Sequence, residues 1–292
     1  MKWILAIDLH GTCAGAVRFA SWLRKAVRGA EQEEFVAIQV LEERHLLAVL
    51  RYHHLSEVTA GARSAAQALI ETEGASDAIR ELAVVQGTEA NETLAAARRT
   101  HGAGGIIIGR AAPTQSHAIV RLGRVARRLL RSSAAPVVVV PPDWQAARRR
   151  DGPIVTLTNT DADSIEACGF GAAMAERLGC DFKLLHVASI PEDFGAQHIP
   201  FISIEKLRQD YRADAEQGLS QWIAAQGLER SRGVVVQGRV VESAIDFAEA
   251  QRSPILVCGS RRLSAVERTL LASTGAELAA LAPVPVAIVP PR

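Results

Sequence analysis

Val84-Val85-Gln86-Gly87 recurs as Val235-Val236-Gln237-Gly238, 151 positions further along the chain. Outward from that pair, Ile106-Ile107-Ile108-Gly109 returns as Ile255-Leu256-Val257-Cys258-Gly259, with the glycines 150 apart. Pro136-Val137-Val138-Val139-Val140-Pro141-Pro142 returns as Pro285-Val286-Ala287-Ile288-Val289-Pro290-Pro291, 149 apart. Three landmarks in one order, at a nearly constant offset, identify an internal duplication. Differences between the copies then carry information about function.

A chain of 292 residues suits two domains of ~150 residues each. The expected domains are 1–142 and 152–292, with a linker over 143–151 that holds Arg148-Arg149-Arg150. Those arginines read as a solvated face. Apolar residues make up 48% of the chain, enough for two cores. A net charge of +1 gives no general attraction to nucleic acid or to an anionic membrane, so neither is an expected partner. Cys13, Cys168, Cys180 and Cys258 have no zinc or CxxC spacing, so neither disulfides nor a metal cluster are expected. Met1-Lys2-Trp3 leads directly into an apolar strand rather than a signal peptide. No apolar run approaches the ~20 residues of a membrane span. A soluble, cytoplasmic protein is the expectation.

Short, β-branched apolar runs alternate with amphipathic stretches. Strands are expected at Trp3–Asp8, Phe35–Leu41, Glu81–Gln86, Gly105–Gly109 and Pro136–Val140. The second copy offers Ile154–Thr158, Phe182–Val187, Val234–Gln237, Ile255–Gly259 and Val286–Val289. Near-continuous apolarity marks parallel strands covered on both faces. Each half therefore reads as α/β, a doubly wound open parallel sheet of five strands with a Rossmann-like order. Ligands of such sheets bind beyond the carboxyl ends of the strands. That places Asp8, Gly109, Thr158 and Gly259 at two crevices, with Val40 and Val187 adding apolar contact.

These residues resemble the universal stress proteins in their tandem form. The likeness rests on the first strand ending at Asp8, on Val-Gln-Gly, on Gly109 and Gly259, and on the Pro-Val-rich last strand. ATP-binding members carry Gly-x2-Gly-x9-Gly-Ser/Thr after strand four and an aspartate at the end of strand one. Glycines there let backbone amides approach phosphate, and the hydroxyl residue opens a helix whose N-terminus favours an anion. The resemblance implies ATP or another adenine nucleotide as ligand, held by Asp8, Val40, Gly109, Gly123, Arg124, Val187, Gly259 and Ser273. It also implies a pseudo-dimer of the two halves through their terminal strands; a homodimer beyond it is a further expectation.

The pattern is eroded differently in each copy. The second keeps Gly259 and Ser273 but has Arg262 and Ala272 for the other glycines, with Thr158 in the aspartate place. The first keeps Asp8, Gly109 and Gly123, while Ala112 or Pro113 replaces the second glycine and Arg124 the hydroxyl. Proline removes an amide donor, whereas Arg110, Arg124, Arg261 and Arg262 offer guanidinium forks to phosphate. The first crevice is the better-kept one on this reading, and Gly109→Val would abolish binding there without unfolding the domain. Arg121, Arg124, Arg128 and Arg131 share one helix face. His10 and His117 fall beside the first crevice, and His186 in a strand.

Catalysis finds little support. A Gly-x-Ser-x-Gly elbow, a phosphate-binding Gly-x4-Gly-Lys-Ser/Thr loop and a Gly-x-Gly-x-x-Gly turn after either first strand are all absent. The leading expectation is a non-enzymatic stress-response binding protein with degenerate adenine-nucleotide sites. The alternatives are an ATP-binding sensor or weak ATPase using the first crevice, and a nucleotide-free interaction scaffold.

Overall fold

A computed structural model of the protein describes residues 1–9, 12–28, 33–110, 122–146, 151–189, 201–227, 232–260 and 273–291, with backbone alone for 201–205. His10, Ala112, Pro113, His117, Arg121, Arg148 to Arg150, Arg261, Arg262 and Ala272 lie outside the described residues.

All ten expected strands are present: β1 (Lys2–Ile7), β2 (Glu34–Glu42), β3 (Ile79–Gly87), β4 (Gly105–Gly109) and β5 (Val137–Val140), then β6 (Ile154–Leu157), β7 (Phe182–Ala188), β8 (Gly233–Gln237), β9 (Leu256–Gly259) and β10 (Val286–Val289). They form one continuous sheet in the order β3-β2-β1-β4-β5-β10-β9-β6-β7-β8. Every pairing is parallel except β5 with β10, where Val139, Val138 and Val137 face Val286, Ala287 and Ile288 in antiparallel register. The two half-sheets thus join through their last strands. Each last strand supplies the backbone partners that the other, as an exposed edge, would lack.

The helices among the described residues are α1 (Ala14–Ala26), α2 (Glu43–Val49), α3 (Leu55–Thr72), α4 (Ala90–Thr100), α5 (Arg124–Ser132), α6 (Ile165–Leu178), α7 (Phe201–Ala225), α8 (Val240–Ala250) and α9 (Thr274–Leu281). One core contains Trp3, Leu5 and Ile7 of β1 with α1, α3, α6 and α7. The other contains Ile4 of β1 with α4, α5, α8 and α9. Alternate residues of each strand feed opposite cores, which is the period of two expected of extended chain. Trp144, in the connecting segment, is 4% exposed and packs edge-on against Phe19 at 5.3 Å. Arg18 Nε donates to its carbonyl at 2.7 Å, so this stretch is held against the first half.

Register corrects one correspondence. Trp3 pairs with Phe35 and Gly105, whereas Ile154 pairs with Phe182 and Val155 with Leu256. Trp3 therefore matches Ile154, and both point into the same core. Counting on, Ile7 matches Thr158 and Asp8 matches Asn159, not Thr158. Capping contacts agree: the Asp8 amide donates to Cys13 Sγ at 3.4 Å, and the Asn159 amide to Ser164 Oγ at 3.3 Å. The offset of 151 thus runs from the first strand to Val-Gln-Gly.

Candidate functional site

At the carboxyl end of β6 the chain turns through Thr158-Asn159-Thr160. Thr158 is 3% exposed, its amide donates to Leu185 O at 2.9 Å, and its carbonyl lies 3.0 Å from His186 Nδ1. Thr160 adopts φ 63°, with its amide donating to Thr158 Oγ1 at 3.0 Å. Asn159 is fixed from two sides. Ser164 Oγ donates to its Oδ1 at 2.6 Å, and its Nδ2 donates to Asp161 Oδ2 at 2.8 Å. Side-chain hydrogen bonds of this kind hold a sharp turn without glycine.

Opposite this turn stands the N-terminus of α9. Ser273 is its N-cap, and Ser273 Oγ accepts from the Ala276 amide at 3.2 Å. The β9 strand ends at Gly259, where an added Cβ would lie 2.9 Å from Asp163 O. Between these pieces is a cavity of about 340 Å³, a size within the lower range of small-molecule sites. Asn159, Asp163, Ser164, His186, Ser260, Ser273 and Thr274 give it polar wall. Leu157, Val187, Val240, Cys258 and Ile288 give it apolar wall. Leu130 also lines it and comes from the first half of the chain. An apolar wall beside hydroxyls and a helix N-terminus can hold a ligand with a ring at one end and negative charge at the other.

Val187, Gly259 and Ser273, expected from sequence, thus meet around one cavity. The other five lie in the first half, where the arrangement differs. Thr12 Oγ1 donates to Asp8 Oδ2, and Cys13 Sγ donates to Asp8 O at 2.9 Å. Burial, aided by the Asp8 charge, pushes the Cys13 thiol up to about 12. Gly109 packs so closely that an added Cβ would lie 2.2 Å from Thr12 O. Val40 is half-buried on its strand, and Gly123 is the N-cap of α5.

Arg124 is engaged by carboxylates. Its Nη2 donates to both oxygens of Glu42, at 2.9 and 2.8 Å, and its Nη1 reaches Glu89 Oε2 at 3.4 Å. Arg128 also donates to Glu89. Glu42 is 8% exposed and its Oε1 accepts from the Ala90 amide, at the start of α4, at 3.1 Å. A carboxylate thus takes the helix-N-terminal place that an anionic ligand would take. Arg110 is likewise committed: its Nη1 donates to Ala280 O and Ala282 O at 2.6 and 3.0 Å.

Sequence reading missed Glu42 and Glu89. A signal for them existed in the repeat. Where the first copy has Glu42 and Arg124, the second has Ser189 and Ser273, and where Glu89 caps α4, Arg239 caps α8. The Glu42–Arg124 pair of one crevice is replaced by two serines in the other, and Ser273 lines the cavity. Among the described residues no group of three His, Cys, Asp or Glu is placed to hold a metal ion. No helix among them is long and apolar enough to cross a membrane.

Residues 152–290 match the family model described as "Universal stress protein family". No curated protein matches the chain. Among solved structures, a universal stress protein from Archaeoglobus fulgidus is 17% identical with a TM-score of 0.63, over 100% of this chain and 98% of that one. A functionally unknown protein from Pseudomonas aeruginosa is 14% identical with a TM-score of 0.60, over 99% and 92% respectively. At such identities the likeness is one of fold, and it extends over both halves.

Proposed function

Because residues 152–290 belong to the universal stress protein family, we propose that this chain is a non-enzymatic binding protein whose second crevice takes an adenine nucleotide. The observation that carries this reading is the contrast between the crevices. One holds a cavity of about 340 Å³ bounded by Gly259, Ser273 and Val187. The other is crossed by the Glu42–Arg124–Glu89 network. The adenine would lie against Val187 and Val240, and the phosphate end would approach the first turn of α9. The first half then serves as the structural partner of the second, through β5 and β10.

Cytoplasmic residence goes with this reading, which the reduced state of Cys13, Cys168, Cys180 and Cys258 suits. The β5 edge is already satisfied within the chain, so a homodimer would use another surface.

Two measurements test the proposal. Mass spectrometry of freshly purified, denatured protein should release AMP or ATP. Thermal-shift titration should show stabilisation growing as RT ln(1 + [L]/Kd), about 2.7 kcal/mol at roughly 100-fold excess over Kd. Absence of co-purified nucleotide, with no shift at millimolar ATP or AMP, would overturn the reading in favour of an interaction scaffold. Steady phosphate release from ATP would replace it with a weak ATPase.

A further inference from the structure

The β5–β10 pairing has a geometric consequence for the second crevice. Antiparallel pairing relates the halves by an approximate twofold axis, so the last helix of each half runs its C-terminal end toward the crevice of the other. Both ends of that exchange are visible. In one direction, Arg110, just beyond β4 of the first half, donates to Ala280 O and Ala282 O at the C-terminal end of α9. In the other direction, Leu130, in the last turn of α5, lines the second-half cavity together with Ser260 and Ile288. Ser260 is the repeat counterpart of Arg110: the Arg110 amide donates to Val140 O at 2.8 Å, and the Ser260 amide to Val289 O at 2.9 Å. A serine there leaves space that an arginine fills in the first half. Leu130 is half-buried, whereas its neighbour Leu129 is fully buried in the core. Leu130 therefore has side-chain surface left for the cavity.

We propose that Leu130 is a specificity-determining residue of the second-half ligand site, so that the site is built by both halves of one chain. This rests on the nucleotide reading of that cavity. Leu130 adds apolar surface at the β9–β10 side and limits the extent of the ligand there. The repeat counterpart of Leu130, matched through Leu129 and Leu278, is Ala279, so the wall is particular to this crevice.

The test uses the full chain, with ATP and AMP as probes in isothermal titration calorimetry. Leu130→Ala should weaken the tighter-binding probe by about 3- to 10-fold through lost apolar contact. Leu130→Trp, which fills cavity space, should weaken it by roughly 10-fold or more while circular dichroism and Tm stay close to wild type. Leu130→Cys adds a positional readout that a purely structural role would not move. Saturating nucleotide should slow N-ethylmaleimide modification of the introduced thiol, followed by peptide mass spectrometry. Wild-type binding with unchanged affinity in Leu130→Trp and no protection in Leu130→Cys would overturn the composite site and leave the nucleotide reading standing. No binding of either probe by the wild-type chain would overturn both.

Discussion

Arg124 Nη2 grips both oxygens of the Glu42 carboxylate, at 2.9 and 2.8 Å, across 82 residues of sequence. Glu42 is nearly buried beside the start of α4, and its charge is compensated by that guanidinium, by Arg44, whose Nε donates to Oε2 at 3.0 Å, and by the Ala90 amide. Arg124→Ala removes one of the two guanidinium partners and leaves Arg44 in place. The side chain of Arg124 is one-third exposed, which moderates the effect. A loss of about 1–2 kcal/mol in urea-unfolding stability is expected, with ATP affinity held within two-fold. A large loss of affinity without a change in stability would place the nucleotide in the first crevice instead.

Glu33 is the second buried carboxylate that holds distant parts together. It is 0% exposed, accepts from Trp3 Nε1 at 2.8 Å, and lies 3.4 Å from the Met1 amine. Arg177 Nη2, from the second half, is 2.7 Å from Glu33 Oε1, an ion pair without hydrogen-bond alignment. The Arg28 amide donates to Arg177 O at 2.8 Å on the same border. Glu33→Ala leaves two cations facing an emptied site. Breaking such a buried pair costs about 3 kcal/mol. Urea unfolding followed by tryptophan fluorescence should register this loss, and a change below about 0.5 kcal/mol would show that the cluster is energetically neutral.

The strands were legible because parallel strands buried on both faces read as continuous β-branched runs, and Val137 to Val140 is such a run. Pairing of the last strands followed from the fold resemblance. Register within β6 was not legible, because Thr158 and Asn159 are both short polar residues at a strand end. Only the alternation of Ile154 and Val155 between two cores separates them. The extent of α3 was also hidden, since its buried face consists of Ala62, Ala66 and Ile70, which give a weak apolar stripe. The Glu42–Arg124 pair joins residues on different elements, and charge alone carries no address. Comparing the copies position by position, with charges weighed as pairs, would have exposed it.

Gly109 and Gly259 match in the repeat but differ in tolerance. A Cβ on Gly109 would meet Thr12 O at 2.2 Å and Cys13 Cα at 2.8 Å, both backbone atoms. A side chain at Gly109 therefore strains the fold as well as the crevice: even Gly109→Ala must shift the start of α1. Gly259 has Asp163 O at 2.9 Å and its next contact at 3.7 Å, a lighter clash. Gly109→Ala should cost about 1–3 kcal/mol without weakening nucleotide binding in the second crevice. Gly259→Ala should cost less stability and weaken binding. Paired urea curves and calorimetric titrations of the two variants decide this, and the reverse ranking would sink it.

The thiols give the chain a pH dependence on the alkaline side. Burial, then the Asp8 charge, pushes Cys13 up to about 12, and burial pushes Cys168 up to about 12, from an ordinary value of 9.0. Cys180, less enclosed, is raised by burial as well. An unfolded thiol releases its proton above pH 9 while the folded one keeps it. Folded thiols raised in this way contribute their full stability below pH 9. That contribution falls as pH climbs toward 12, by about 1.4 kcal/mol per pH unit for each fully buried thiol. Stability to urea should therefore decline between pH 9 and 11. Cys13→Ser reproduces the residue found at its repeat counterpart, Ser164, and should remove about half of the decline. Cys168→Ala in the same chain should remove most of the remainder. A slope unchanged in the double variant would assign the alkaline loss to other groups, and native-state alkylation that modified Cys13 before Cys180 would contradict the burial on which the argument stands.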